Sequence, residues 1–156
     1  MYDYKNIAIY YDSEKRLIGV PCGKPDMYDG CSSLDIFLVL EPGYSDNDLE
    51  KFFHELLDAC YSAVPIPEGM TAIQKYTGAK SYVAATKGYQ LMEMDWEKDK
   101  GYVFTPMKVD KRHKGAFEGI SGITINVSHS NKHRPIDKGA LALAFRTALL
   151  VTAEQE

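Results

Sequence analysis

The sequence predicts one α+β (mixed α/β) domain over residues 1–156, in which helices pack on a sheet of about six strands. Three observations lead to this prediction. The length fits one domain, and the hydrophobic content of 45% and charged content of 26% are ordinary for a globular protein. Short segments with strand-like alternation occur in both halves of the chain. Two longer segments have the composition and spacing of helices that pack on a sheet.

The first part of the chain predicts a β-hairpin followed by a covered strand. Residues Asn6–Tyr11 and Arg16–Cys22 flank a polar turn, and Pro21 is expected to end the second strand. After a loop rich in glycine and aspartate, Leu34–Leu40 is nearly all apolar. This composition predicts a strand that is covered on both faces.

The next predicted element is an amphipathic helix that follows Ser45. Ser45 suits the N-cap position, and Asp48 stands three residues later, where a capping box places its acidic partner. Apolar residues then recur at spacings of three and four from Leu49 to Val64. The helix is expected to end at Pro65.

The middle of the chain predicts a short helix and a second hairpin. Residues Met70–Tyr76 suit a short helix stopped by Gly78, whereas Lys80–Thr86 fit a helical turn or a strand equally well. Tyr89–Trp96 and Tyr102–Met107 read as two strands joined by a charged loop, which predicts a hairpin.

A strand and an apolar helix complete the predicted sheet. Apolar and polar residues alternate between Gly122 and Ser128, which is typical of a half-buried strand. A polar turn follows at Asn131–Arg134. Asp137–Thr152 is then so apolar that we expect a helix covered over most of its surface, with Leu143 and Phe145 both buried.

Patterns related to catalysis or metal binding occur, but none completes a site. His129 and His133 have a spacing suited to zinc on a helix, yet they follow a strand and lack a third ligand. Gly119–Gly122 is one residue too short for a nucleophile elbow and precedes its strand. Cys31 has no histidine near it in the sequence. The sequence therefore predicts no catalytic residue, no metal site and no cofactor.

The cysteines and the hydropathy pattern predict a reduced, cytoplasmic protein. Cys22, Cys31 and Cys60 are an odd number and lack metal-ligand spacing. No apolar run reaches the roughly 18 residues that a membrane span needs. The first five residues lack the features of a signal peptide, so none is expected.

Charge is distributed unevenly along the chain. Between Asp26 and Asp58 nine acids accompany one base, whereas between Lys98 and Lys138 nine bases accompany four acids. Two interpretations stay open: solvated faces of opposite sign, or a surface that binds a charged protein. The basic half lacks interleaved aromatic residues and the net charge is −4, so direct binding of nucleic acid is not expected.

Three segments resemble the immunity proteins of bacterial contact-dependent growth inhibition systems. They are Pro42–Leu49 with its Ser-Asp helix start, Lys111–Gly119 with a basic run before an aromatic residue, and Arg134–Arg146 with a Gly-Ala pair before the closing helix. The resemblance implies a cytoplasmic, non-enzymatic inhibitor with no membrane association. Its partner would be the cognate C-terminal toxin domain of an exoprotein, commonly a nuclease with a basic surface.

Acidic residues are the candidates for contacting such a domain. Pro106 indicates that the return strand of the second hairpin lies near a sheet edge, where another chain can pair. The hairpin is the first candidate surface and the acidic helix is the second. The candidate toxin-binding residues are Glu93, Asp95, Glu97, Asp99, Tyr102, Asp46, Asp48 and Glu50.

The eleven tyrosines leave a function of another class open. Tyrosine is amphipathic and favours half-wet surfaces, so the chain could be a small enzyme or a ligand-binding domain with a tyrosine-lined pocket. A convergent acid–base pair or an activated nucleophile would favour that alternative, and the sequence shows neither. The oligomeric state has no signal in the sequence.

Overall fold

The computed structural model describes residues 3–24, 31–65, 69–110, 112, 116–120, 125–128 and 137–155. The elements are β1 (Tyr4–Tyr11), β2 (Leu17–Gly23), β3 (Ser32–Ser33), β4 (Leu38–Leu40), α1 (Asp46–Ala59), α2 (Ala72–Thr77), α3 (Tyr82–Thr86), β5 (Gln90–Glu97), β6 (Gly101–Val109), β7 (Phe117–Gly119), β8 (Ile125–Ser128) and α4 (Ala140–Gln155). The strands form one antiparallel sheet. The predicted α+β class with helices on a sheet is confirmed.

Strand β1 lies in the middle of the sheet. It pairs with β2 on one side and with β5 on the other. Strand β6 pairs with β5, and both β7 and β8 pair with the far side of β6. Strands β3 and β4 pair with β2. Both predicted hairpins are therefore confirmed, and the pairing of β1 with β5 joins them into one sheet.

Helices cover both faces of the sheet. Helices α1 and α4 pack on the face that carries Ile7, Ile9 and Met92, and the aromatic rings of this core come from α1, β6 and α4. Helices α2 and α3 pack on the opposite face, over Tyr10 and Leu91. Because side chains alternate along a strand, neighbouring residues of β1 and β5 enter different cores.

Helix α1 begins as predicted and ends early. The Ser45 hydroxyl accepts the Asp48 N–H at 3.1 Å, and the Asp48 carboxylate accepts the Ser45 N–H at 2.9 Å. The capping box is therefore confirmed. The last helical residue is Ala59 rather than Val64, because Cys60 has a ψ of 135° and Tyr61 adopts the left-handed φ of 64°.

Glycine at position 19 of β2 lets α1 approach the sheet closely. A Cβ atom built at Gly19 would lie 2.3 Å from Leu56 Cδ1 and 2.9 Å from Phe52 Cζ. Both contact atoms belong to buried side chains of α1. Any larger residue at this position would push the helix away from the sheet.

The segment between α1 and β5 forms two short helices. Helix α2 ends at Gly78, which has a φ of 77°, so the predicted helix and its stop are confirmed. The Lys80–Thr86 segment, which the sequence left open, contains helix α3. The Ser81 hydroxyl accepts the Ala84 N–H at 3.1 Å and caps that helix.

The predicted Leu34–Leu40 strand is shorter in the structure. Only Leu38–Leu40 forms a strand, and its residues are half-buried rather than covered on both faces. The strand pairing with β2 stops at Ser33, opposite Cys22, and resumes at Leu38, opposite Gly19.

Two prolines lie inside paired strands. Pro21 was expected to end its strand, and Pro106 was expected to mark a strand near the sheet edge. Pro21 is paired within β2 opposite Ile7, so it does not end the strand. Pro106 lies within β6, which has strands on both sides and is not an edge strand. Residues 101–104 pair with β8 and residues 107–109 pair with β7, so Pro106 falls where that pairing is interrupted. The return strand therefore lies next to the outermost strands, near the edge of the sheet as predicted, but it is not itself an edge strand on which another chain could pair.

Helix α4 is less covered than its composition predicts. Leu141, Phe145 and Ala148 are fully buried, whereas Leu143 and Leu150 are each 68% exposed. Phe145 was correctly predicted and Leu143 was not. A helix that is apolar on all sides has no periodic signal to show which side faces the sheet. The strand predicted between Gly122 and Ser128 is confirmed over residues 125–128, where β8 lies. The Asn131–Arg134 turn, His129 and His133 lie outside the described residues.

The cysteines are not all reduced. Cys22 and Cys31 form a disulfide with their Cα atoms 5.6 Å apart, and Cys60 is a buried free thiol. The prediction of a fully reduced chain is therefore wrong for two of the three cysteines. Sequence separation alone could not show that β3 brings Cys31 to the end of β2.

Over the described ranges, no helix is both long and apolar enough to cross a membrane.

Candidate functional site

Polar side chains gather on the part of the sheet beside helices α2 and α3. Register places Tyr4 opposite Glu97, Asn6 opposite Asp95, and Thr105 opposite Glu93. Alternation along the strands turns these side chains away from the α1–α4 core. None of them is fully buried. We call this surface the acidic face, and it consists of Tyr4, Asn6, Glu93, Asp95, Glu97, Val103 and Thr105.

Asp95 is held in place by two neighbours on β1. The Tyr4 hydroxyl and the Asn6 side-chain amide both donate to Asp95 Oδ1, the latter at 2.8 Å. Burial, together with the bond to Asp95, raises the pKa of the Tyr4 phenol well above its ordinary value. The phenol is therefore a hydrogen-bond donor that fixes the carboxylate and does not add charge.

Glu93 lies between Asp95 and two tyrosines, Tyr10 and Tyr82, that belong to the core under α2 and α3. The Tyr10 and Tyr82 hydroxyls are 2.7 Å apart. Burial is the largest cause that raises the pKa of both phenols, and the Glu93 charge adds to it. Burial, followed by repulsion from Asp95, raises the pKa of Glu93 itself. The environment of Glu93 therefore disfavours its negative charge in the free protein.

No cation of the described residues compensates these two carboxylates. Within the part of the chain that the structure describes, neither Glu93 nor Asp95 forms an ion pair. Partly buried charges without an opposite charge are unfavourable, and a basic group from another molecule would relieve that cost. The arrangement is therefore suited to receiving a cationic side chain.

The other hairpin candidates differ in their surroundings. Glu97 shares the face but pairs with Lys100 at 3.0 Å. Asp99 is exposed in the hairpin turn, with a φ of 66°. Tyr102 is buried on the opposite side of the sheet, opposite Trp96 and within the α1–α4 core. The structure therefore brings together Glu93, Asp95 and Glu97, and it separates Tyr102 from them.

The acidic residues of α1 are engaged within the chain. Asp46 accepts from Arg146 Nε at 2.8 Å, and Glu50 accepts the Ala142 N–H at 3.2 Å in the first turn of α4. Asp48 completes the capping box, and its bonds to Ser45 lower the pKa of the carboxyl. These carboxylates hold α1 and α4 together or cap α1, so they are less available to a partner than Glu93 and Asp95.

Sequence reasoning missed the β1 and β6 residues of the acidic face. Tyr4 and Asn6 stand more than eighty residues before their partner Asp95. Alternation of polar and apolar residues in β1 could have shown that Tyr4 and Asn6 share a side. It could not have shown that β5 is the neighbouring strand.

An open cavity of about 910 Å³ lies on the same side of the sheet as the acidic face. It lies beside α3 and is mostly apolar, with Val83, Val109 and Phe117 among its lining residues. The Phe117 ring contacts the rings of Tyr10 and Tyr82, each with centroids 6.5 Å apart, which connects the cavity to the surroundings of Glu93. Tyr89 is the one tyrosine among the described residues that line this cavity, so the cavity is not rich in tyrosine.

The fold is similar to solved structures of other proteins. One is a chain of the CdiA-CT/CdiI toxin and immunity complex from Yersinia pseudotuberculosis, with a TM-score of 0.59, 13% identity, and coverage of 96% of this chain and 97% of that chain. The fold is CdiI-like. A protein of unknown function from Neisseria meningitidis matches with a TM-score of 0.59, 13% identity, and coverage of 92% and 94%. No protein-family profile matches the chain, and no curated protein matches it.

Proposed function

We propose that this chain is a cytoplasmic immunity protein that binds and neutralises the C-terminal toxin domain of a contact-dependent growth inhibition exoprotein. The observation that carries the proposal is the CdiI-like fold over nearly the whole chain, because the similar structure is a toxin and immunity complex. The inhibitor acts by binding, and no chemical step of its own is involved.

The acidic face supports a basic partner. Glu93 and Asp95 lie side by side without a cation of the described chain, and Tyr4 and Asn6 hold Asp95 in place. A nuclease that binds phosphate does so through lysine and arginine side chains. An ordered acidic surface complements such side chains, so we propose a nuclease as the toxin and the acidic face as its contact surface.

Co-expression tests the function as a whole. The C-terminal domain of a candidate partner exoprotein is expressed alone and together with this chain, followed by a growth measurement and a pull-down. We expect growth to be restored and the two proteins to co-purify. Continued toxicity in cells that contain the folded, soluble chain would contradict the proposal.

Neutral variants test the contact surface separately. Glu93→Gln with Asp95→Asn removes two charges and keeps the side-chain shapes, while Glu55→Gln with Asp58→Asn removes two exposed charges elsewhere. Because long-range attraction acts mainly on the association rate, we expect a roughly tenfold slower association for the first pair at low salt and a smaller difference at high salt. Equal association for both pairs and the unchanged protein would exclude the acidic face while leaving the immunity function open.

A further inference from the structure

The three cysteines meet around the end of β2, away from the acidic face. Cys22 lies in β2 and is bonded to Cys31, which directly precedes β3. Cys60 follows α1 as a free thiol. Cys22 and Cys60 are buried in the same core, and Cys31 packs against it.

Cys22 and Cys60 are both held against Asn6 of β1. The Asn6 N–H donates to Cys22 Sγ at 3.3 Å. The Cys60 Sγ lies 3.8 Å from the Asn6 carbonyl oxygen and 3.5 Å from the Leu56 carbonyl oxygen, so its S–H can donate to either one. The Tyr61 N–H donates to the Cys22 carbonyl at 2.8 Å. The free thiol and one sulfur of the disulfide therefore both lie against the backbone of Asn6.

Close packing fixes this arrangement from two directions. A Cβ atom built at Gly23, directly after Cys22, would lie 2.6 Å from Leu34 Cδ2 and 2.8 Å from the Ala63 carbonyl oxygen. Leu34 belongs to the segment that follows Cys31, and Ala63 belongs to the segment that follows Cys60. The end of β2 is therefore enclosed between the segment that follows Cys31 and the segment that follows Cys60.

We propose that Cys22 is a shared disulfide partner whose bond passes from Cys31 to Cys60 by thiol–disulfide exchange. The Cys60 thiolate attacks Cys22 Sγ, the Cys22–Cys60 bond forms, and the Cys22–Cys31 bond breaks. The electron pair leaves with Cys31 Sγ, which takes up a proton in place of the one that Cys60 has lost. One bond forms for each bond broken, so no oxidant or reductant is consumed.

The two bonds constrain different parts of the fold. The Cys22–Cys31 bond joins β2 to the residue before β3, whereas a Cys22–Cys60 bond joins β2 to the end of α1. The exchange also moves the free thiol from the buried Cys60 to the half-buried Cys31. The fold thus contains a covalent switch that changes which element is tethered and which thiol can be reached by small reagents.

The chemistry of Cys60 sets the rate of the exchange. Burial raises the pKa of the Cys60 thiol, against opposing effects of the Cys22 backbone and of the Lys5 charge. Lys5 faces this region from β1 and donates to the Leu57 carbonyl at 2.9 Å, whereas the disulfide on β2 does not titrate. Because the thiolate is the attacking species, exchange is slow at neutral pH and faster at alkaline pH.

Serine variants show which sulfur pairs can form. Cys31→Ser leaves Cys22 with Cys60, Cys60→Ser leaves Cys22 with Cys31, and Cys22→Ser is the control that removes the shared partner. Each folded protein is held in a glutathione redox buffer, alkylated and mapped by mass spectrometry of non-reduced peptides. We expect a Cys22–Cys60 bond in the first variant, a Cys22–Cys31 bond in the second and no intramolecular bond in the control.

The unchanged protein provides a measurement that does not depend on any variant. After equal, brief incubations that alkylation stops before the exchange reaches equilibrium, we expect roughly tenfold more of the Cys22–Cys60 peptide, with Cys31 alkylated, at about pH 9 than at about pH 7. Detection of the Cys22–Cys31 bond alone at both pH values would overturn the proposal. A Cys31→Ser protein that stays reduced in a buffer that oxidises Cys60→Ser would overturn it as well.

Discussion

Glu93 combines a half-buried position with a negative charge that no described cation balances. Its pKa is raised above the ordinary glutamate value of about 4.3. The folded protein therefore holds the proton more tightly than the unfolded chain does. The resulting penalty is fully present above the raised pKa and disappears as the pH falls below the ordinary value. Glu93 therefore makes the free protein less stable at neutral pH than its ordinary pKa would, and a basic partner would reduce this cost.

Replacing Glu93 with glutamine tests whether the charge of Glu93 lowers the stability of the free protein. We expect Glu93→Gln to raise the free energy of unfolding at neutral pH, because the penalty of ionisation is removed, and to give no gain at about pH 4. Urea unfolding at both pH values measures the difference, with the exposed Glu55→Gln as the matched control. The same change at both pH values would show that the effect does not come from the charge.

The two sides of α4 differ at the level of single residues. Phe145 is fully buried, with ring centroids 5.3 Å from Phe53 and 6.0 Å from Phe104, whereas Leu143 is 68% exposed. We expect Phe145→Ala to cost about 3–5 kcal/mol and Leu143→Ala to stay within about 0.5 kcal/mol. Urea midpoints measure both. Similar midpoints for the two variants would contradict the burial described for this helix.

At the scale of elements, α1 is the helix that the sequence predicts most completely. Its cap residues are adjacent in sequence, and its apolar spacing distinguishes a buried side from an exposed side. Helix α4 was predicted as an element but not in orientation, because leucine and alanine occur on every side of it. Pro21 was misinterpreted as a strand end, because whether a strand tolerates proline depends on the pairing of that position.

The contact of α1 with β2 yields a prediction that depends on the space at one glycine. We expect Gly19→Ala to cost about 1–3 kcal/mol, because its Cβ would overlap the Leu56 side chain and the core has no room to accept it. Gly119→Ala is the matched control, since its Cβ would meet its nearest neighbour, Thr105, at 3.4 Å. Thermal unfolding of both variants measures the costs. Equal losses would mean that glycine flexibility, not the approach of α1, sets the requirement at position 19.

For the whole molecule, the two hairpins were predictable and their joining was not. Each hairpin links segments separated by a short loop, so local patterns were sufficient. The pairing of β1 with β5 spans most of the first hundred residues, and no local signal specifies it. The acidic residues of β5 were therefore recognised as candidates, whereas Tyr4 and Asn6, which complete the acidic face, were not.

Inhibition by binding predicts that no histidine is required. His54 is exposed on α1 and lies 3.9 Å from Glu50, and the other three histidines are His113, His129 and His133 outside the described residues. We expect each single change to alanine to leave toxin neutralisation within a few-fold, measured by growth in the co-expression assay. A folded histidine variant that no longer protects cells would favour the enzyme alternative.

The central position of β1 has a consequence for the order in which the protein can form during translation. This strand ends at Tyr11 and is made well before its partner β5, which begins at Gln90. Until the ribosome has released β5, one edge of β1 has no partner strand, although the hairpin with β2 can already exist. Such an edge can pair with other chains, and contacts between distant residues also slow folding. The nascent chain therefore passes through a period in which the central strand of the finished sheet has one unpaired edge.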